Sequence, residues 1–325
     1  MTTSWSSVRS APKHQRCSLL TCCRLVHAAS LNYRDLIIPK GEYPFGFCEG
    51  VVPGSDGAGV VEAVGKDVTR FKKGDRVVTL FNQTHIAGSM TADTHASGLG
   101  AQVDGCLRQY GKFDQQGLVL MPSNLDFLEA STLSCAGLTA WNALYGLEGR
   151  SLKPGDWVLT QGTGGVALFA VQFAKAAGAR VIATTSSSDK ETKLRELGAD
   201  HVINYKQTTE WGGKAKELTG GQGVQHVVEV GGPATIKQSL EATAIDGVIS
   251  IIGFLGKSDS EPSYLECLLK LVTVRGLFVG SRVLYEQMNR AIEANNIKPV
   301  IDPKVFSLDE TKEAYQVSDY RLAAF

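Results

Sequence analysis

Residues 162–167 read Gly-Thr-Gly-Gly-Val-Ala, the pattern G-x-G-x-x-A. Glycines at that spacing let the backbone turn sharply and bring amide N–H groups close to a pyrophosphate, while the N-terminus of a following helix completes the anion site. A lone triplet of this kind is usually an ordinary turn, so its surroundings decide its meaning. Residues 156–161 (DWVLTQ) have the composition of a short buried strand. Val166, Phe169, Ala170, Phe173, Ala174 and Ala177 then recur at helical spacing, Gly178 stands where a helix-ending glycine belongs, and 179–184 read as a second strand. Strand, glycine turn, amphipathic helix and strand is the order that a dinucleotide site requires, with Gly162, Thr163, Gly164, Gly165 and Val166 as the candidate phosphate-binding residues.

The end of the second strand bears on which dinucleotide is held. A site for NAD places Asp or Glu there to accept from the adenosine ribose hydroxyls. Here stand Thr184, Thr185, Ser186, Ser187 and Ser188, all neutral, with Lys190 just beyond and Tyr205 closing the third strand. Taken singly, Lys190 is one more solvated helix residue and the serines one more turn, but the missing carboxylate is harder to set aside. Hydroxyls and an ammonium favour a 2'-phosphate, so the cofactor expected is NADP(H), contacted by Thr184, Ser186, Lys190 and Tyr205. Ser188 and Glu191 have the spacing of a capping box opening the next helix.

The elements that would position this turn repeat the same rhythm. Strands are expected at 201–204, 224–230, 247–252 and 273–279, with helices at 234–242 and 282–295. Six strands joined by right-handed crossovers form a doubly wound α/β sheet, whose ligands lie at the carboxyl ends of the strands. Glu229, Val230 and Gly231, with Gly253 and Phe254, fall at such ends and are expected to line the nicotinamide and its ribose.

The first half reads differently. Residues 50–80 alternate short apolar stretches with glycine-rich turns, the pattern of a compact β-barrel. Its ordered segments HAASLNYRDL (27–36), GEYP (41–44), PGSDGAGVVEAVG (53–65), GDRV (74–77) and SCAGLTAW (134–141) are followed by QGTGGVA, VVEVGG and RGLFVGSR. In that series the chain resembles the medium-chain dehydrogenase/reductase superfamily, in its branch of quinone oxidoreductases and enoyl reductases, over about residues 26–316. The resemblance implies a GroES-like catalytic domain at 26–145, completed by 297–325, a Rossmann cofactor domain at 146–296, and hydride transfer in a cleft between them. It also implies that Thr139, Phe278, Val279 and Gly280 contact the cofactor.

In zinc-using alcohol dehydrogenases the resemblance places a Cys, a His and a Cys as catalytic ligands where this chain has Asn32, Ser55 and Cys135. One thiol of three cannot hold a catalytic Zn²⁺. The stretch matching the structural zinc lobe holds only Cys106, and His85 and His95 in the same loop are read as surface or packing residues, so no metal is expected. Hydride delivered to an ordinary ketone leaves a localised alkoxide that calls for a Lewis acid. Delivered to an enone or a quinone, the charge spreads, and neutral donors suffice. Asn32 and Tyr43 match positions that orient the acceptor oxygen in zinc-free reductases, with Tyr33 and Asp35 as adjacent candidates and Tyr43 or solvent as the proton source.

Composition agrees with a small-molecule partner. Thirty-three basic and thirty-three acidic residues balance, giving no field for nucleic acid or an anionic membrane, and no apolar run is long enough to span a bilayer. Seven scattered cysteines read as free thiols of a reducing compartment. Residues 1–25 form an atypical segment lacking the pair of strands with which the family enters its catalytic domain. The location expected is cytoplasmic, with mitochondrial as the alternative because the basic, Ser/Thr-rich residues up to Arg34 have the composition of a transit peptide. The segment after Arg321 shows no returning strand. Two rival readings therefore stand beside a zinc-independent reductase: an inactive nucleotide-binding isoform, and a zinc-dependent alcohol dehydrogenase. A homodimer through 264–274 and the strand at 273–279 is expected.

Overall fold

The computed structural model describes residues 21–254, 256 and 264–323, and the side chains of 21–25, 264 and 319–323 are outside that description. Expectations for residues 1–20 lie outside it as well. The chain divides into two compact units, one comprising residues up to Cys135 together with Ser281 onward, the other Ala136–Gly280.

In the first unit the elements are β1 (Thr21–Ser30), α1 (Tyr33–Ile37), β2 (Asp56–Val64), β3 (Arg76–Thr79), α2 (Ala92–His95), β4 (Tyr110–Asp114), β5 (Leu118–Leu120) and α3 (Phe127–Ser131). The five strands pair antiparallel in the order β4-β1-β2-β3-β5. Val61, Val77, Phe113 and Leu118 of these strands join Phe71 and Leu99 of the connecting segments in one apolar cluster, which is the burial that glycine-rich, alternating segments permit. Strand β1 corrects one expectation: it begins at Thr21, inside the segment read as lacking any entering strand, and Cys22–Leu25 pair with both β2 and β4. The local sequence TCCRL shows no period-two alternation, so only its partners reveal it.

The second unit contains α4 (Leu138–Tyr145), β6 (Trp157–Gln161), α5 (Gly165–Ala176), β7 (Arg180–Thr185), α6 (Ser188–Glu196), β8 (His201–Asn204), α7 (Trp211–Leu218), β9 (Val224–Glu229), α8 (Ile236–Ala242), β10 (Thr243–Ile251), α9 (Tyr264–Lys270) and β11 (Thr273–Gly276). The six strands are all parallel, in the order β11-β10-β9-β6-β7-β8, the doubly wound α/β sheet expected. Every residue of β6 is buried, as helices on both faces require. Two boundaries differ from the sequence reading. The last strand stops at Gly276 instead of 279, and Val279 beyond it adopts φ 49°, which no extended strand accommodates. Helix α6 is capped at Ser187, whose side chain makes no capping bond, so the Ser188/Glu191 capping box is not formed.

After the second unit the chain returns to the first as α10 (Arg282–Ala294) and α11 (Thr311–Ala323). Helix α10 packs on the first unit through the fully buried Tyr285, whose hydroxyl lies 3.3 Å from Ser134 Oγ, and through Asn289, whose amide donates to the Leu120 carbonyl at 2.8 Å. These contacts put α10 in the first unit, whereas the sequence had placed 282–296 with the cofactor domain.

Candidate active site

Helix α1 assembles most of the polar cluster of the first unit. Asn32 caps it, donating its backbone N–H to Asp35 Oδ2 at 2.8 Å, and Asp35 is almost wholly buried. Arg34 is 7% exposed. Its guanidinium lies over the rings of Phe81 and Tyr43, 4.6 and 5.1 Å from their centroids. Nη1 donates to the Leu99 carbonyl at 2.8 Å and Nε to the Tyr43 hydroxyl oxygen at 3.3 Å. Burial pushes the Tyr43 phenol above its ordinary pKa, and Arg34 acts against that rise. Arg34 Nη2 is buried without a hydrogen-bond partner, while the Asn32 side chain acts on the carboxyls of both Asp35 and Asp56, favouring their charged forms. Of the four residues named from sequence, Asn32, Asp35 and Tyr43 come together around Arg34, while the Tyr33 side chain is exposed.

Behind them lies a second buried group. Ser55 Oγ donates to Asp56 Oδ1, and Asp56 Oδ2 accepts the backbone N–H of Cys135 at 2.9 Å. The Ser55 carbonyl accepts from Thr79 Oγ1 at 2.8 Å, and the Cys106 thiol lies 3.5 Å from the same oxygen. Residues Leu133–Gly137 wind as a π-helical turn, a form that recurs at functional sites. Burial lifts the Asp56 carboxyl to a pKa of about 7 and the Cys135 thiol well above its usual value. Among the described residues no three His, Cys, Asp or Glu side chains converge as metal ligands would. His85 is buried and bonds the Gly88 carbonyl through Nε2.

In the second unit the glycine turn leaves β6 and enters α5. Gly162 has φ +75° and donates its N–H to the Thr184 carbonyl at 2.9 Å, a conformation costly for any residue with a Cβ. Gly164 caps α5, and both Gly164 and Gly165 are exposed, with Val166 half-buried behind them. A Cβ built on Gly162 or Gly164 would meet nothing within 4 Å. The unpaired N–H groups of the first helical turn therefore face open space, as a pyrophosphate cradle requires, and the residues present fit the phosphate end of a dinucleotide.

At the end of β7, Thr184 and Thr185 are buried, and Thr185 Oγ1 accepts the Ser187 N–H at 3.3 Å. Ser186 and Lys190 are half-exposed, and partial burial lowers the Lys190 pKa. Tyr205 donates its N–H to the Thr185 carbonyl at 3.0 Å. Residues 184–188 carry no carboxylate, and Asp189 and Glu191 follow in the first turn of α6.

Glu229 is placed differently from the expectation that it lines the nicotinamide. Its fully buried carboxylate takes N–H bonds from Gly231 (2.8 Å) and Gly232 (2.9 Å), the Thr235 hydroxyl (2.6 Å), the Gln161 amide (2.7 Å) and the Ser239 hydroxyl. Gln161 Oε1 in turn accepts from Val230 N and Gly231 N at 3.1 and 3.0 Å. Every acceptor position of Glu229 is used inside the protein, so it shapes the 230–232 turn instead of offering itself to a ligand. Gln161, Thr235 and Ser239 were missed from sequence; the signal was a pair of polar residues ending adjacent, otherwise apolar, parallel strands. Gly253 packs on this turn so closely that a Cβ would lie 2.2 Å from the Val230 carbonyl oxygen, and Phe254 beside it is exposed.

Phe278, Val279 and Gly280 form the loop after β11. Val279 keeps its positive φ while its carbonyl accepts from Asn142 at 2.7 Å. A β-branched residue in that region is strained, and such strain is held where the surroundings over-determine it. Thr139 is buried on α4, beside Leu138, which closes on Gly280.

Comparison with known proteins accords with this arrangement. Residues 25–123 match the alcohol dehydrogenase GroES-like domain and residues 165–294 the zinc-binding dehydrogenase family. A Schizosaccharomyces pombe protein named zinc-type alcohol dehydrogenase-like is 48% identical over 293 residues, covering 89% of this chain and 84% of its own. The chain belongs to the medium-chain dehydrogenase/reductase superfamily. A crystal structure from Sinorhizobium meliloti 1021, provisionally named an alcohol dehydrogenase, superposes with a TM-score of 0.86 at 42% identity, covering 94% of this chain and 90% of that one. Human quinone oxidoreductase is 26% identical over 298 residues, 90% of this chain and 83% of its own. The protein is accordingly an oxidoreductase of a superfamily whose members bind nicotinamide cofactors.

Proposed function

We propose that the protein is a zinc-independent, NADPH-dependent reductase that passes hydride to a quinone or to the C=C bond of an α,β-unsaturated carbonyl compound. The observation that carries the reading is the state of the three positions where zinc-using relatives hold their metal. Asn32 has replaced a thiolate and Ser55 an imidazole, and Ser55 and the Cys135 backbone are both tied to Asp56. A catalytic Zn²⁺ needs three protein donors in fixed geometry, and this set does not fit one. With no Lewis acid, the favourable acceptors are those that delocalise the charge they receive.

When bound, the nicotinamide supplies the hydride. The residues of this chain do the rest: the 162–166 turn holds the pyrophosphate, while Ser186 and Lys190 meet a 2'-phosphate where an NAD site would present a carboxylate. Asn32 and Tyr43 donate to the acceptor oxygen, and Tyr43 gives it a proton. The relative named quinone oxidoreductase supports the acceptor class. The edge strand β11 and the exposed Leu265, Leu268, Leu269 and Leu271 of the adjoining α9 and turn favour pairing with a second copy of the chain.

The test is oxidation of NADPH and NADH by the purified protein against a panel of quinones, enals and enoyl thioesters. The reading predicts turnover with at least one of these classes and preference for NADPH. Oxidation of simple alcohols without reduction of any of them would refute it, and binding of NADPH with no consumption would identify an inactive isoform.

A further inference from the structure

Arg34 is a fixed charge held where a surface residue would be expected. Its two neighbours in sequence diverge, Tyr33 to solvent and Asp35 to the interior, and the guanidinium is clamped between aromatic rings 4.6 and 5.1 Å away with Nη1 fixed on the Leu99 carbonyl. Nε donates to the Tyr43 oxygen. A guanidinium has no acceptor, so Arg34 occupies a lone pair of the phenol and leaves the phenol's own hydrogen uncommitted. Among the described residues none accepts that hydrogen.

We infer that Arg34 is a positioning residue for the reduction proposed above, orienting Tyr43 so that its proton points to the acceptor and steadying the tyrosinate that remains. The inference rests on that reading. In the step, a C–H bond forms at the β-carbon from the hydride of the reduced nicotinamide, and the C=C electron pair moves to the carbonyl oxygen. The Tyr43 O–H bond then breaks as its proton passes to the enolate. The negative charge left on the Tyr43 oxygen faces Nε of Arg34, and solvent reprotonates it. The other titratable groups around Tyr43 are Cys135 and Asp35, both of which oppose its ionisation; Tyr315 of α11 lies near enough to Arg34 and Asp35 to feel both charges. Arg34 is the single cation in that set and the one member that favours the tyrosinate.

Two measurements test this. In the first, 3,5-difluorotyrosine is installed at position 43 and its ionisation followed by 19F NMR with Arg34 present, with Arg34→Lys and with Arg34→Gln; no acceptor is needed. Titration should move to higher pH in Arg34→Gln and less in Arg34→Lys. Unmoved titration in both would overturn the inference, and if Arg34→Gln does not fold, Arg34→Lys alone decides. In the second, Arg34→Gln should lower kcat about 10- to 100-fold, as loss of one charge-assisted hydrogen bond does, with KM for NADPH unchanged and a larger solvent deuterium effect on kcat. Arg34→Gln/Tyr43→Phe should be no slower than Tyr43→Phe. Multiplying losses would mean that Arg34 acts apart from Tyr43. Failure of the wild type to reduce any acceptor refutes the proposed function, while the 19F titration still decides the coupling of the two residues.

Discussion

Asp56 shows how burial alone can set the behaviour of a carboxyl. Its pKa rises from 3.8 to about 7 chiefly because the charged form loses its water, with the Ser55 hydroxyl and the Cys135 N–H offsetting only part of that cost. A group whose pKa is raised on folding contributes stability below its unfolded value and loses it as pH climbs through the folded one. The protein should therefore lose stability from this group between pH 3.8 and about 7, by about 4 kcal/mol at most. Asp56→Asn keeps an acceptor for Cys135 and removes the titration. Its melting temperature, followed across that range, should fall less with rising pH than that of the wild type.

At this scale much of the cluster was legible. Asn32, Asp35 and Tyr43 announced themselves by their places in HAASLNYRDL and GEYP. Arg34 did not, because its burial depends on Phe81 and Leu99, which lie far along the chain and arrive only through tertiary packing. Glu229 was legible as a polar residue at a strand end, but the sequence could not show that Gln161, Thr235 and Ser239 satisfy it.

Among the elements, the short edge between β7 and α6 is where the proposed preference for NADPH is tested. Ser186 is half-exposed there, beside the buried Thr184 and Thr185. Replacing it by Asp would present a carboxylate to the adenosine ribose and repel a 2'-phosphate. Ser186→Asp should raise KM for NADPH by about 10-fold or more while lowering that for NADH, as read by steady-state kinetics with both cofactors. Strand β9 carries a separate acid-sensitive point. Burial lowers the His226 pKa from 6.5 to about 4, against the pull of Asp156. The unfolded chain takes up a proton more readily, so stability present above pH 6.5 is lost as pH falls towards 4, by about 3 kcal/mol. His226→Gln should flatten that acid limb in urea titrations at successive pH values. The six parallel strands were readable from repeated apolar runs between glycines. The end of β11 was not, since nothing in the composition of RGLFVG reveals that Val279 takes a positive φ. The entry of β1 at Thr21 was hidden for the opposite reason: its pairing with β2 and β4 is long-range.

For the whole molecule, basic and acidic residues balance, and among the described residues no helix is long and apolar enough to cross a membrane. The exposed leucines next to β11 make self-association testable: Leu268→Glu with Leu269→Glu should shift a dimer to monomer in sedimentation equilibrium without unfolding the second unit. The central claim is metal-free hydride transfer to an acceptor that stabilises its own charge, and it is tested most directly by measuring NADPH-dependent reduction of an active enone or quinone before and after exhaustive chelation, with zinc content determined on the same samples. The account predicts an unchanged rate in protein carrying far less than stoichiometric zinc. A rate lost on chelation and restored by added Zn²⁺ would contradict it.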